Sequence, residues 1–199
     1  MAYGLGSARA NKWAMAFYAA AAVVWSGRRL WKYHSSDYVS AIVTPRENSP
    51  TLDLFGGRLQ PGNVIELSVA KSDVQRLIGM IDFMRYGEIV AGGIIILVGI
   101  FFAYRFFDNV IEKTPFSTGA GIDLAVVAVC VVLYPVVTGG LRVMSTNAVQ
   151  SALETTELTD TARGLDVFWM AVIVAVVLQF VYAVLRQGSE LARDTDGLV

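Results

Sequence analysis

Four stretches of this chain hold no charged residue: 13–27, 89–104, 124–141 and 167–185. An α-helix needs roughly 20 mostly apolar residues to cross a hydrocarbon layer about 30 Å thick. The last two stretches meet that length. The first two are slightly short, but Arg28, Arg29 and Arg105 at their ends have stems long enough to carry a charge out to the headgroups. The spacing therefore predicts an all-α membrane protein. Its four transmembrane helices form a bundle, with spans over about 10–32, 87–107, 121–142 and 165–186. Composition agrees. The chain is 55% hydrophobic and 17% charged, against about 45–50% and about 25% for a soluble domain.

The segments around the spans have their own signals. Arg9 and Lys12 precede the first apolar block like the n-region of a signal peptide. No small-x-small cleavage site follows. The basic run Arg28-Arg29-Leu30-Trp31-Lys32 comes instead, so the block reads as an uncleaved first helix. Residues 33–70 hold Pro45, Pro50 and Pro61, with turn residues at 55–57 and 61–63. Positions 38–43 are rich in β-branched residues, and 64–69 alternate apolar and polar around Glu66. These features predict a small extramembrane β-ribbon over 36–70, with 51–55 as a candidate third strand. Ser72 or Asp73 is placed to cap a helix. Val74, Leu77, Ile78, Ile81 and Met84 then give an apolar face expected to lie at headgroup level. Pro135 falls inside the third span, where a kink is expected. Residues 142–166 are polar, with a short surface helix expected over 145–158.

Charge and residue usage narrow the chemistry. A net charge of −1 gives no footing for direct nucleic-acid binding. The single cysteine, Cys130, excludes an internal disulfide and a thiolate zinc cluster from one chain. The single histidine, His34, reads as an interfacial side chain rather than a metal ligand. Four spans put both termini on one side, together with Arg9, Lys12, Arg105, Lys113, Arg186 and Arg193. Arg28, Arg29, Lys32, Arg76, Arg85, Arg142 and Arg163 collect on the other, so charge alone does not orient the chain. Trp13, Trp25, Trp31 and Trp169, with Tyr18, Tyr33, Tyr86 and Tyr182, fall mostly near span ends as an aromatic belt.

Two short motifs carry a resemblance. Asn109-Val110-Ile111-Glu112-Lys113-Thr114-Pro115-Phe116-Ser117 resembles the N-I-x-x-G-x-P-F-S link of an uncharacterised bacterial family of four-span membrane proteins, known as domain of unknown function 2975. The tail from Val184 through Arg186, Gly188, Leu191 and Asp194 resembles that family's F-R-x-G-x-x-L-R-x-D ending. The order of elements matches over roughly residues 70–199. Members usually follow Pro-Phe-Ser with a polar, Arg-bearing segment, where this chain has Gly119-Ala120-Gly121-Ile122-Asp123. The resemblance implies a bacterial plasma (inner) membrane protein with both termini cytoplasmic and the β-ribbon outside. It also implies a role connected with small helix-turn-helix regulators, and no catalytic residues.

Two polar groups fall within the spans. Asp123 stands at the start of the third, where a carboxylate complements the helix dipole and is expected to touch water. Gln179 lies deep in the fourth, where an amide is expected to hydrogen-bond another helix, Thr138 being one candidate. No buried charge cluster, nucleotide loop, metalloprotease helix or Gly-x-Ser-x-Gly elbow is apparent. The reading that follows is a non-enzymatic, multi-pass membrane protein without a cofactor. It acts through contacts with the bilayer and with another membrane protein or a cytoplasmic regulator. An accessory subunit of a larger membrane complex, such as a respiratory one, is the alternative. Pro115, Phe116, Arg186, Gly188, Leu191 and Asp194 are the expected contact positions.

Overall fold

A computed structural model describes residues 3–45, 53–54, 57–58, 64–111, 118–154, 159–161 and 165–196. Four long helices dominate: α1 (Tyr3–His34), α2 (Ile78–Ile111), α3 (Thr118–Ala152) and α4 (Leu165–Asp196). Five short strands accompany them: β1 (Tyr38–Pro45), β2 (Asp53–Leu54), β3 (Gly57–Arg58), β4 (Ile65–Ala70) and β5 (Thr159–Thr161).

Among the described residues, two helical stretches are long and apolar enough to cross a membrane, Gln75–Asn109 and Gly119–Ala152. At about 1.5 Å per residue each exceeds a hydrocarbon layer of about 30 Å. Only 17% of the apolar window in the first and 33% in the second is buried. The core helix of a water-soluble protein would bury most of that length. The apolar stretch of α4, Phe168–Val184, is shorter. It exposes Trp169, Met170, Ile173, Val177 and Phe180 while burying Ala171 and Ala175.

The chain divides into two compact units. One comprises Gly27–Ala91 and Val137–Gly164. Its centre is an antiparallel sheet of strand order β4-β1-β5. Val39, Ala41 and Val43 alternate along β1 onto one face and are almost fully buried. Their partners across the ladder are Val69, Leu67 and Ile65 of β4, while Glu66 and Ser68 on the other face are exposed. The alternation around Glu66 thus has the expected physical origin.

Three expectations for this unit are corrected. The third strand of the sheet is β5, from the α3–α4 link, which pairs with Val43, Thr44 and Pro45. The segment expected in that role instead supplies β2, which pairs with β3 as a separate ribbon. Val74 and Ile81 do not lie against headgroups. They are fully buried in one cluster with the β1 side chains, Ala148 and Val149. A sheet face needs an apolar cover, and this stripe supplies it. No surface helix starts at 145, because α3 continues to Ala152 with Ser145, Thr146 and Val149 buried.

Local details follow. Val74, rather than Ser72 or Asp73, precedes the 3-10 turn Gln75–Leu77, and no side chain caps that turn. The Ser72 hydroxyl bonds the Asp73 carboxylate instead, at 3.1 Å. Beyond α3, Glu154 has φ 56°, a left-handed turn conformation. Helices commonly end this way, usually with glycine.

The other unit comprises Met1–Ser26, Gly92–Val136 and Leu165–Val199. Small residues set its close approaches. A Cβ on Gly93 would stand 3.0 Å from the Ser26 hydroxyl, and one on Gly99 would stand 3.4 Å from Cβ of Cys130. Ala120, Leu124 and Ala128 form a buried stripe at helical spacing on α3. Helices in lipid gain little from burying apolar surface, so small residues that let backbones close up provide the packing. α3 runs as one helix through Pro135.

Gly121 is the tightest of these positions, because the edge of the Tyr182 ring occupies the place a Cβ would take. Gly121→Ala is expected to lower stability by about 1–3 kcal/mol. In a Tyr182→Leu background the same change should cost about 1 kcal/mol less. Thermal unfolding of the four proteins in detergent measures both values.

Candidate functional site

The described residues contain one polar centre that the sequence reading did not anticipate. Glu88 of α2 is 1% exposed and accepts from three guanidiniums on three helices. Arg29 of α1 donates from Nη2 to Oε1 at 3.0 Å. Arg142 of α3 donates to the same oxygen from Nη2 at 2.6 Å and Nε at 3.2 Å. Arg85, one turn before Glu88 on α2, donates from Nη1 to Oε2 at 3.1 Å. Its second amino group donates to the Ser40 carbonyl of β1. The expectation of no buried charge cluster is therefore overturned. Arg29, Glu88 and Arg142 flank apolar blocks that are distant in sequence, and the fold brings them together at one carboxylate.

Both carboxylate oxygens are engaged and the carboxylate is buried. Solvation is graded: the side chain of Arg85 is 9% exposed, Arg29 29% and Arg142 43%. Arg85 Nε is buried without a hydrogen bond, as are the hydroxyls of Ser145 and Thr146.

The last turn of α1 is stitched to the start of α2. The Tyr33 hydroxyl donates to Asp82 Oδ1 at 2.5 Å. The Tyr33 and Tyr86 rings meet edge to face with centroids 5.2 Å apart. Lys71 Nζ lies 4.5 Å over the Tyr33 ring and donates to its carbonyl at 3.2 Å. His34 is exposed and its Nδ1 lies 2.9 Å from the Tyr86 hydroxyl. Burial, reinforced by the hydrogen bond to Asp82, pushes the Tyr33 phenol above its ordinary range.

A second polar group lies in the other unit. Asp123 of α3 is fully buried rather than washed by water. Its Oδ2 accepts from Asn109 Nδ2 at 3.1 Å, and Arg105 Nε stands 3.5 Å from Oδ1. Arg105 thus pairs with Asp123 while its side chain remains 51% exposed. Lys12 of α1 bridges to Asp108 and lies 4.8 Å over the Tyr104 ring.

The other expected positions are dispersed. Gln179 is exposed on α4 rather than buried against another helix. Arg186, Gly188, Leu191 and Asp194 lie on the helical backbone of α4, which runs past the expected span end at 186 to Asp196. Pro115 and Phe116 lie outside the described residues. All four tryptophans, Trp13, Trp25, Trp31 and Trp169, are exposed. The chain matches no protein-family model, no curated protein and no solved structure with which it was compared.

Three outcomes follow. Glu88→Gln leaves three guanidiniums facing one another and is expected to cost about 3–5 kcal/mol. Arg142→Gln should cost less than Arg85→Gln, because its head is better solvated; denaturant unfolding in detergent ranks them. For Tyr33, a raised folded-state pKa means that the folded protein holds the proton more tightly. Its contribution is full below the ordinary value of 10.0 and fades as pH rises through the folded value. In an alkaline titration of phenolate absorbance, Tyr33→Phe should remove one late-ionising phenol.

Proposed function

We propose that this chain is a multi-pass membrane protein with four spanning helices, acting through protein–protein contacts in a regulatory or signalling role rather than by catalysis. One observation carries this reading: the buried charged side chains on its helices engage one another. Glu88 takes Arg29, Arg85 and Arg142, and Asp123 takes Arg105. Much of what the helices present outward is apolar, including Phe83, Ile94 and Phe101 on α2 and Ile173, Val177 and Phe180 on α4. Such surfaces suit lipid and other membrane helices.

In this reading the β4-β1-β5 sheet is extramembrane. Both termini lie on one side, which the family resemblance makes the cytoplasmic side of a bacterial plasma membrane. The partner is another membrane protein or a cytoplasmic regulator that meets the 109–117 link or the α4 tail.

Gln179 favours a second reading. Its amide is exposed on α4 between Val176, Val177 and Phe180, which are exposed as well. An amide facing hydrocarbon lacks hydrogen-bond partners, and a neighbouring protein helix would supply them. An accessory subunit of a larger membrane complex would have that environment.

The chain should stay in the pellet when native membranes are washed with alkaline carbonate. Mild-detergent pull-down should recover a cytoplasmic or membrane regulator, and migration on a native gel as a small assembly supports the regulatory reading. Co-migration with a large complex, lost in Gln179→Leu, supports the subunit reading instead. Release of the chain by carbonate would remove both.

A further inference from the structure

The geometry points to a binding site for the headgroup phosphate of an anionic phospholipid on the outer flank of α1, formed by Arg28 and Lys32 with Trp31 beside them. The inference rests on the reading of α1 as a membrane span. It adds a ligand class that the span alone does not specify.

The basic run after the first apolar block divides by helical geometry. Arg29 and Tyr33, one turn apart, face α2, where they meet Glu88 and Asp82. Arg28, Trp31 and Lys32 therefore fall on the remaining circumference of α1. All three are exposed, Trp31 at 74%. Arg28 and Lys32 make no ion pair or hydrogen bond among the described residues. At i and i+4 their Cβ atoms lie about 6 Å apart, so the two cations repel unless an anion lies between them.

The occupant follows from depth and chemistry. Arg28 is the first charged residue after the uncharged block 13–27. With α1 across the bilayer, that position is the level of the headgroup phosphates. An exposed indole at the same level is a side chain that partitions there, apolar in body with one polar N–H. Arginine and lysine donate to phosphate oxygens through charge-assisted hydrogen bonds. A basic residue near an anionic surface strengthens binding about fivefold, so two give about thirtyfold.

The test uses the full chain reconstituted into nanodiscs of mixed phosphatidylcholine and phosphatidylglycerol, with retained lipids counted by native mass spectrometry. The wild type should retain phosphatidylglycerol over phosphatidylcholine by about thirtyfold. The double variant Arg28→Gln, Lys32→Gln should lose that selectivity. Arg76→Gln, which removes an exposed charge of the Gln75–Leu77 turn, should keep it, as should the charge-preserving pair Arg28→Lys, Lys32→Arg. Equal retention of the two lipids by inserted wild type overturns the inference and leaves the membrane reading intact. Unchanged selectivity in the double variant also overturns it. A chain that does not enter the nanodiscs at all overturns the membrane reading first, and the lipid site with it.

Discussion

Glu88 is a carboxylate removed from water and held by three guanidiniums. Such a group is tolerable only when its desolvation is offset by good hydrogen-bond geometry on both oxygens. That requirement makes Glu88 a demanding constraint on the helices around it. Arg29 must come from α1, Arg142 from α3 and Arg85 from the preceding turn of α2, all within hydrogen-bond reach of one side chain. A shift of any helix by one residue along its axis moves a donor by about 1.5 Å and weakens the set. Apolar packing alone tolerates such slippage more readily than a shared carboxylate does.

The same cluster connects helices to sheet. Arg85 uses one amino group on Glu88 and the other on the Ser40 carbonyl of β1. On the apolar side, Val39, Ala41 and Val43 pack with Val74, Ile81, Ala148 and Val149. The strand is therefore held to α2 and α3 by a core on one face and tied to α2 by a charged bond at its backbone. A two-stranded ribbon is marginal by itself. Here it gains a third strand, an apolar cover and an arginine tie, each from a different part of the chain.

The two buried carboxylates are held differently. Both oxygens of Glu88 accept from guanidiniums. Asp123 accepts from Asn109 on Oδ2, while its buried Oδ1 has Arg105 Nε at 3.5 Å and no hydrogen bond. Exposed surface includes apolar faces of α2 and α4 and the basic flank of α1.

Much of this was legible from local pattern. Apolar blocks imply helices because a helix satisfies its own backbone, and the period-two alternation at 64–69 implied a strand facing a core. The tight Gly121–Tyr182 approach left no local mark, since a glycine in an apolar run reads the same wherever it packs. The Glu88 cluster left a faint one: Arg29, Glu88 and Arg142 all stand beside uncharged blocks. Read block by block, they were interfacial charges. Read together, they are the acceptor and two of the donors of one cluster.

The sequence by itself determined the four long helical segments and the paired strands β1 and β4. Those properties depend on neighbours within a turn or two. Tertiary structure alone decided that Arg29 and Arg142, 59 and 54 residues from Glu88, would share its carboxylate. It also decided that Thr159–Thr161 would complete a sheet begun at Tyr38. Ion pairs and strand pairs are set by the register between distant segments, and no local window of sequence holds that register.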